Sequence, residues 1–156
     1  MWEEAREAIR KSSESSSIYI GCDSQVFSRK GKFCADYSTV VILHKESRHG
    51  CKIFHNAITV PYYGEPGKND GSMETRLLAE VGYALEAYEE IKDVIKNRKL
   101  EIHLDVNPNP CYKSSKITSQ AIGWVRGMGL EAKVKPYGLA ASYAADQCVK
   151  RKGIYS

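Results

Sequence analysis

Four carboxylates in this chain stand where an acid needs a reason. Asp23 closes the apolar, β-branched run IYIGC, Glu74 opens a long helical pattern, Asp105 ends the run EIHLD, and Asp146 sits in the alanine-rich stretch LAASYAADQCVKR. Four acids on four separate elements suggest one site. Carboxylates are hard oxygen donors of the kind that Mg²⁺ and Mn²⁺ prefer, so gathered acids would suit a divalent cation and the phosphate chemistry it serves.

The elements that must position these acids follow from hydrophobic periodicity. Residues 2–11 make a short amphipathic helix with Trp2, Ala5, Ala8 and Ile9 on one side, and the serine-rich KSSESSS after it reads as a linker. Residues 18–22 read as a first strand, 33–44 as a second with Thr39, Val40, Val41 and Ile42 in it, and 51–60 as a third. The connections between them are short and rich in charge or glycine, as antiparallel hairpins require. Residues 61–71 hold two prolines and three glycines and form a loop, which either closes over a site or holds Glu74 away from it. Ser72 is placed to cap a helix over 73–96, whose Leu77, Leu78, Val81, Leu85, Tyr88, Ile91, Val94 and Ile95 make a strong apolar stripe. A strand over 100–106, a helix over 115–128, a strand over 130–134 and a helix over 139–152 complete the order. Antiparallel strands followed by alternating helix and strand predict an α/β fold with a mixed sheet and helices on both faces.

At 156 residues the chain fits one domain and can bury roughly two thirds of its unfolded surface. Its longest apolar runs, such as 38–43, fall far short of the ~20 residues that cross a bilayer, so no membrane partner is expected. The opening MWEEAREAIRK lacks the apolar core of a secretory signal, and a cytoplasmic protein is expected. Cys22, Cys34, Cys51, Cys111 and Cys148 are odd in number and free of CxxC spacing. They read as reduced thiols, with no zinc knuckle or disulfide framework. The net charge of +4 is unevenly spread: from Cys111 onward eight basic residues face two acidic ones, leaving +6 there and −2 in the rest. That asymmetry is compatible with a polyanionic partner, although charged surface helices are common.

The element order, with its four acids, resembles the ribonuclease H-like fold. The segments IGCDSQ, METRLLAE, IHLDVNPNP with KSSK after it, GWVRGMGLEAKVKP and YGLAASYAAD resemble the YkuK-type family of ribonuclease H-like nucleases. The resemblance runs from about Ile18 to Lys150, so residues 1–17 are expected to be an N-terminal helix and linker and 18–156 the ribonuclease H-like domain. It implies a metal-dependent site in which Asp23, Glu74, Asp105 and Asp146 hold Mg²⁺ or Mn²⁺ and carry catalysis. Two such ions about 4 Å apart can activate water and steady the leaving oxygen of a phosphodiester.

Each residue also has a plainer reading. Asp23 and Asp105 suit turns, Glu74 suits the dipole of a helix N-terminus, and Asp146 suits a solvated helix face. His103 alternates with Asp105 along the same strand and is read as a core histidine in preference to one that steadies a metal ligand. Ser24 and Asn107 flank the acids and would orient water or phosphate, with capping or turn roles as the alternative. Lys113, Lys116, Lys135 and Lys150 would contact phosphates as point charges, a solvated surface being the alternative. Tyr62, Tyr63, Tyr112, Tyr137 and Tyr143 lie near the loops where bases would stack, though buried tyrosines are commoner.

The sequence therefore predicts a metal-dependent phosphodiester hydrolase acting on DNA, RNA or a hybrid. The alternative is a catalytically inactive module of the same fold that binds nucleic acid or a protein partner, and a more distant one is a phosphatase or nucleotide hydrolase. The N-terminal helix would dock on its own domain or pair two copies as a homo-oligomer.

Overall fold

Alternation along the first strand decides how the sheet meets its helices. In the computed structural model, which describes residues 2–47, 50–68, 71–106, 109 and 115–134, β1 (Ser17–Arg29) pairs with β2 (Lys32–His44) in antiparallel register from Ser17↔His44 to Arg29↔Lys32. Ile18, Ile20 and Cys22 share one face with Leu43, Val41 and Thr39 opposite them, and that face is the core side. The strand does not stop at Cys22 but runs on through Asp23 to Arg29, because an antiparallel ladder continues without burial as long as its partner does. Only Lys30 and Gly31 connect the two strands, with φ of 52° and 76°. Positive φ at both central residues is the primed turn geometry that matches the strands' twist.

β3 (Cys51–Pro61) pairs antiparallel with β2 and forms one edge. After it comes α2 (Ser72–Ile95), then β4 (Lys99–His103), α3 (Ser115–Gly127) and β5 (Glu131–Lys133), giving the strand order β3-β2-β1-β4-β5. β4 lies parallel to β1 and β5 parallel to β4, so the sheet is mixed and the fold is α/β with flanking helices, as expected. β4 is shorter than the apolar run suggests. Its pairing with β1 ends at Gly21↔His103, and the next amide, Leu104 N–H, donates to the Lys133 carbonyl at 2.8 Å. The chain thus peels away from β1 two residues before Asp23.

α2 buries Leu77, Val81, Ala84, Leu85, Ile91, Val94 and Ile95. Ser72 is its first helical residue, not its cap; Gly71 takes the cap position at φ 82°, a conformation that glycine adopts without strain. The Ser72 hydroxyl accepts a 2.7 Å hydrogen bond from Tyr62 instead. α2 and α3 approach closely at Gly82, where a Cβ would stand 3.3 Å from the Trp124 ring.

α1 (Glu3–Lys11) joins the same core through Trp2, Ala5 and Ile9. Arg6 of α1 forms a bidentate pair with Asp93 of α2, at 2.5 and 2.8 Å, and its guanidinium draws the Asp93 carboxyl down to about 2. The serine run is also fastened: Arg98 donates to the Ser12 hydroxyl and carbonyl, and the buried Ser16 hydroxyl accepts from the Glu46 amide. No described helix is long and apolar enough to cross a membrane. The helix expected over 139–152 lies outside the described residues.

Candidate active site

Where β4 leaves β1, three acids from three elements come into one electrostatic neighbourhood. Asp23 is half-buried on β1, and its Oδ1 accepts from the Ser24 amide at 2.9 Å. Asp105 is half-buried just past the end of β4. The third is Glu80 of α2, 5% exposed, which with Cys22, Leu77, Val81 and Asp105 lines a small cleft between helix and sheet. Unbroken pleating sends Cys22 and Ser24 toward α2 and Asp23 to the other face, opposite Ser38.

Glu80 is tied to the strand by a short chain of hydrogen bonds. The Ser24 hydroxyl donates to Glu80 Oε1 at 2.5 Å and accepts from Arg76 Nη1 at 2.7 Å. The same Nη1 reaches the Ser24 carbonyl at 3.3 Å and lies 3.9 Å from Glu80 Oε1. Burial pushes the Glu80 carboxyl well above the ordinary carboxylate range; the negative charges of Asp23 and Asp105 add to the rise, and Ser24 and Arg76 oppose it. Burial and the Glu80 charge likewise raise the Cys22 thiol, and they push the Tyr37 phenol up to about 12. Cys22, Cys34 and Cys51 are free thiols, while Cys111 and Cys148 lie outside the described residues.

Glu80 is a helical acid that Asp23 and Asp105 act upon. Glu74 sits half-buried in the first turn of α2. The six positions between the two glutamates carry the helix about 9 Å along its axis and onto another face. Sequence reasoning passed over Glu80 and Arg76, yet a signal for Glu80 was present. It lies three residues after Leu77 and four before Ala84, so the apolar stripe of α2 carries an acid inside it.

His103 is a core histidine. It is 4% exposed, its ring stacks on Tyr19 at 4.9 Å, and its Nε2 lies 2.9 Å from Glu101 Oε2. Lys116 belongs to the first turn of α3. Asp146, Asn107, Lys113, Lys135 and Lys150 lie outside the described residues.

The donor set is of the right kind for Mg²⁺ or Mn²⁺: hard carboxylate oxygens, with the charges of Asp23 and Asp105 close enough to act on the buried Glu80. Among the described residues, no group of three or more His, Cys, Asp or Glu side chains is arranged to hold a metal ion.

The family profile described as Ribonuclease H-like matches residues 1–150, a span that takes in α1 as well as the sheet. No curated protein and no solved structure matches the sequence. With the matched span covering nearly the whole chain, and the sheet order and mixed strand directions alongside it, this chain belongs to the Ribonuclease H-like family.

Proposed function

We propose that this protein is a metal-dependent phosphodiester hydrolase acting on nucleic acid, with Asp23, Asp105, Glu80 and Asp146 as the carboxylates that hold Mg²⁺ or Mn²⁺. In this reading Glu80 takes the part that the sequence suggested for Glu74. The observation that carries it is the buried Glu80 carboxylate, which lines one cleft with Asp105 and is hydrogen-bonded to Ser24, the neighbour of Asp23; burial first, and then the charges of Asp23 and Asp105, raise its pKa. Like charges brought near a buried carboxylate are costly alone and are stabilised by a divalent cation. The family supports the reading by supplying a nuclease-type, nucleic-acid-related fold.

When bound, the metal would supply charge neutralisation at phosphorus and an activated water. The chain's own residues would do the positioning. Ser24 orients Glu80 through its hydroxyl, and Arg76 braces Ser24 while placing a fixed positive charge beside the carboxylates. Lys113, Lys116, Lys135 and Lys150 would hold the phosphate backbone, and Asn107 would orient water or phosphate, giving binding that weakens with salt and reads little sequence.

A second reading, a non-catalytic module of the same fold, is favoured by the engagement of Glu80 with Ser24 and Arg76. The deciding experiment is cleavage of labelled single-stranded and duplex DNA, RNA and hybrid with Mn²⁺, alongside Asp23→Asn and Asp105→Asn. Loss of cleavage in both variants supports the hydrolase. Cleavage that persists in both removes this site from the chemistry, and binding without cleavage of any substrate supports the module.

A further inference from the structure

A second cavity, of about 320 Å³, opens next to the acids, and Tyr37, Tyr62, Tyr63, Ser72, Thr75 and Arg76 line it. We infer that this groove takes one unpaired nucleotide of a nucleic-acid chain, its base against Tyr63 and its phosphate on Arg76. The inference rests on the hydrolase reading for its substrate class and narrows that class to single-stranded segments.

Three features of the groove point to this occupant. Tyr63 is 88% exposed, the most exposed of the large hydrophobic residues described, and it presents its ring to solvent at the groove's rim. The wall beside it is fixed: the Tyr62 hydroxyl donates to Ser72 Oγ at 2.7 Å, and the Tyr62 amide donates to the Phe33 carbonyl at 3.0 Å. The floor is Tyr37, 5% exposed and tilted against Tyr83 at 4.8 Å between ring centroids. A fixed aromatic wall and an exposed ring offer stacking that every base can use, since every base has a π-face.

The charge in the groove is of matching sign. Arg76 is its arginine, and its Nε is buried with no hydrogen-bond partner among the described residues. A guanidinium offers five N–H donors, and the bonds to Ser24 all use Nη1. Through Ser24 the same guanidinium is joined to Glu80, so a phosphate on Arg76 would lie beside the carboxylates. The cavity's volume is at the low end of small-molecule sites, which run from roughly 300 to 1,000 Å³. One nucleotide suits it; a paired duplex does not, because paired bases keep their faces stacked on each other.

The test is fluorescence anisotropy of the full chain, in EDTA so that nothing is cut, with end-labelled oligothymidylate and oligouridylate, an abasic strand of the same length and a blunt duplex. The expected result is that one or both single strands bind more tightly than the abasic strand and the duplex. Tyr63→Ala should weaken that binding about tenfold while Tyr63→Phe leaves it intact. Arg76→Gln should also lower the salt slope by about 0.7, the loss of one phosphate contact on a single strand. Tyr63 is on the surface, so its variants keep their fold, which thermal melts would verify. Wild-type binding by Tyr63→Ala, or equal binding of intact and abasic strands, overturns the groove. If that happens while cleavage still depends on Asp23 and Asp105, the hydrolase stands without the groove. If the Tyr63 effect holds and no substrate is ever cut, the groove stands and the hydrolase falls. No binding of any strand overturns the groove, and the hydrolase is then decided by the Mn²⁺ cleavage assay.

Discussion

The Ser24 hydroxyl donates to Glu80 Oε1 at 2.5 Å while accepting from Arg76 Nη1 at 2.7 Å, so one strand residue holds two oppositely charged side chains of the facing helix. Ser24→Ala leaves the buried carboxylate without its hydroxyl donor and the guanidinium without its acceptor. A buried group left unsatisfied costs about 1–3 kcal/mol. Chemical denaturation should show a loss in that range with an unchanged slope against denaturant.

Glu80 and Glu74 should answer differently to the same substitution. The folded-state pKa of Glu80 is raised above its unfolded value, so its contribution favours the folded state at low pH and is lost as pH rises through the folded pKa. At neutral pH without divalent cation, Glu80→Gln should therefore stabilise the protein, by about 1 kcal/mol or more, since it removes a buried acid whose ionisation the fold disfavours. The same variant should weaken Mn²⁺ binding measured by calorimetry. Glu74→Gln, in a first turn at intermediate exposure, should stay within about 0.5 kcal/mol of the parent and bind Mn²⁺ as the parent does.

His103 gives the protein a sensitivity to mild acid. Burial holds its imidazole below the ordinary value, and Glu101 pulls the other way. The unfolded chain then takes up a proton before the folded one does. The stabilising contribution is full above about pH 6.5, the unfolded value, and is lost as pH falls through the folded pKa. One proton allows a slope of up to about 1.4 kcal/mol per pH unit. Denaturation midpoints measured just below pH 6.5 should fall with pH in the parent and fall less steeply in His103→Gln.

Ile9 tests whether the N-terminal helix is an appendage or part of the domain. Its side chain is fully buried in the core shared by α1, α2 and the sheet. Ile9→Ala should cost about 2–5 kcal/mol, the usual range for a buried aliphatic truncation. Unfolding should stay a single transition followed equally by tryptophan fluorescence and circular dichroism, because Trp2 sits in the same core.

The succession of elements and helix α2 were legible because their apolar periodicity is strong: the stripe from Leu77 to Ile95 and the run from Thr39 to Ile42 carry their own signal. The length of β1 was not. Beyond Cys22 its residues are Asp23, Ser24 and Gln25, polar side chains that hide a ladder held by backbone bonds to β2. The end of β4 was missed for the opposite reason: Leu104 and Val106 are apolar and buried, although pairing with β1 stops at His103. Among the acids proposed for the site, Asp23 and Asp105 were legible from where they fall in the chain. Glu80 was not, since an acid in a helix's first turn draws attention and one inside an apolar stripe is taken for surface. Its pairing with Ser24 spans 56 positions and exists only once the helix is laid on the sheet.

That span sets the order in which the molecule is assembled. β1 and β2 are neighbours across a two-residue turn, and β3 follows on β2, so the three-stranded meander closes from short loops. β4 must return to β1 after the whole of α2, a long loop whose closure is slow. The acids therefore come together in the last stage of folding, after the meander is in place. In hydrogen exchange the β1–β2 amides should become protected before those of β4, and a chain halted between the two stages would hold three of the five described strands but lack Asp105 in its place.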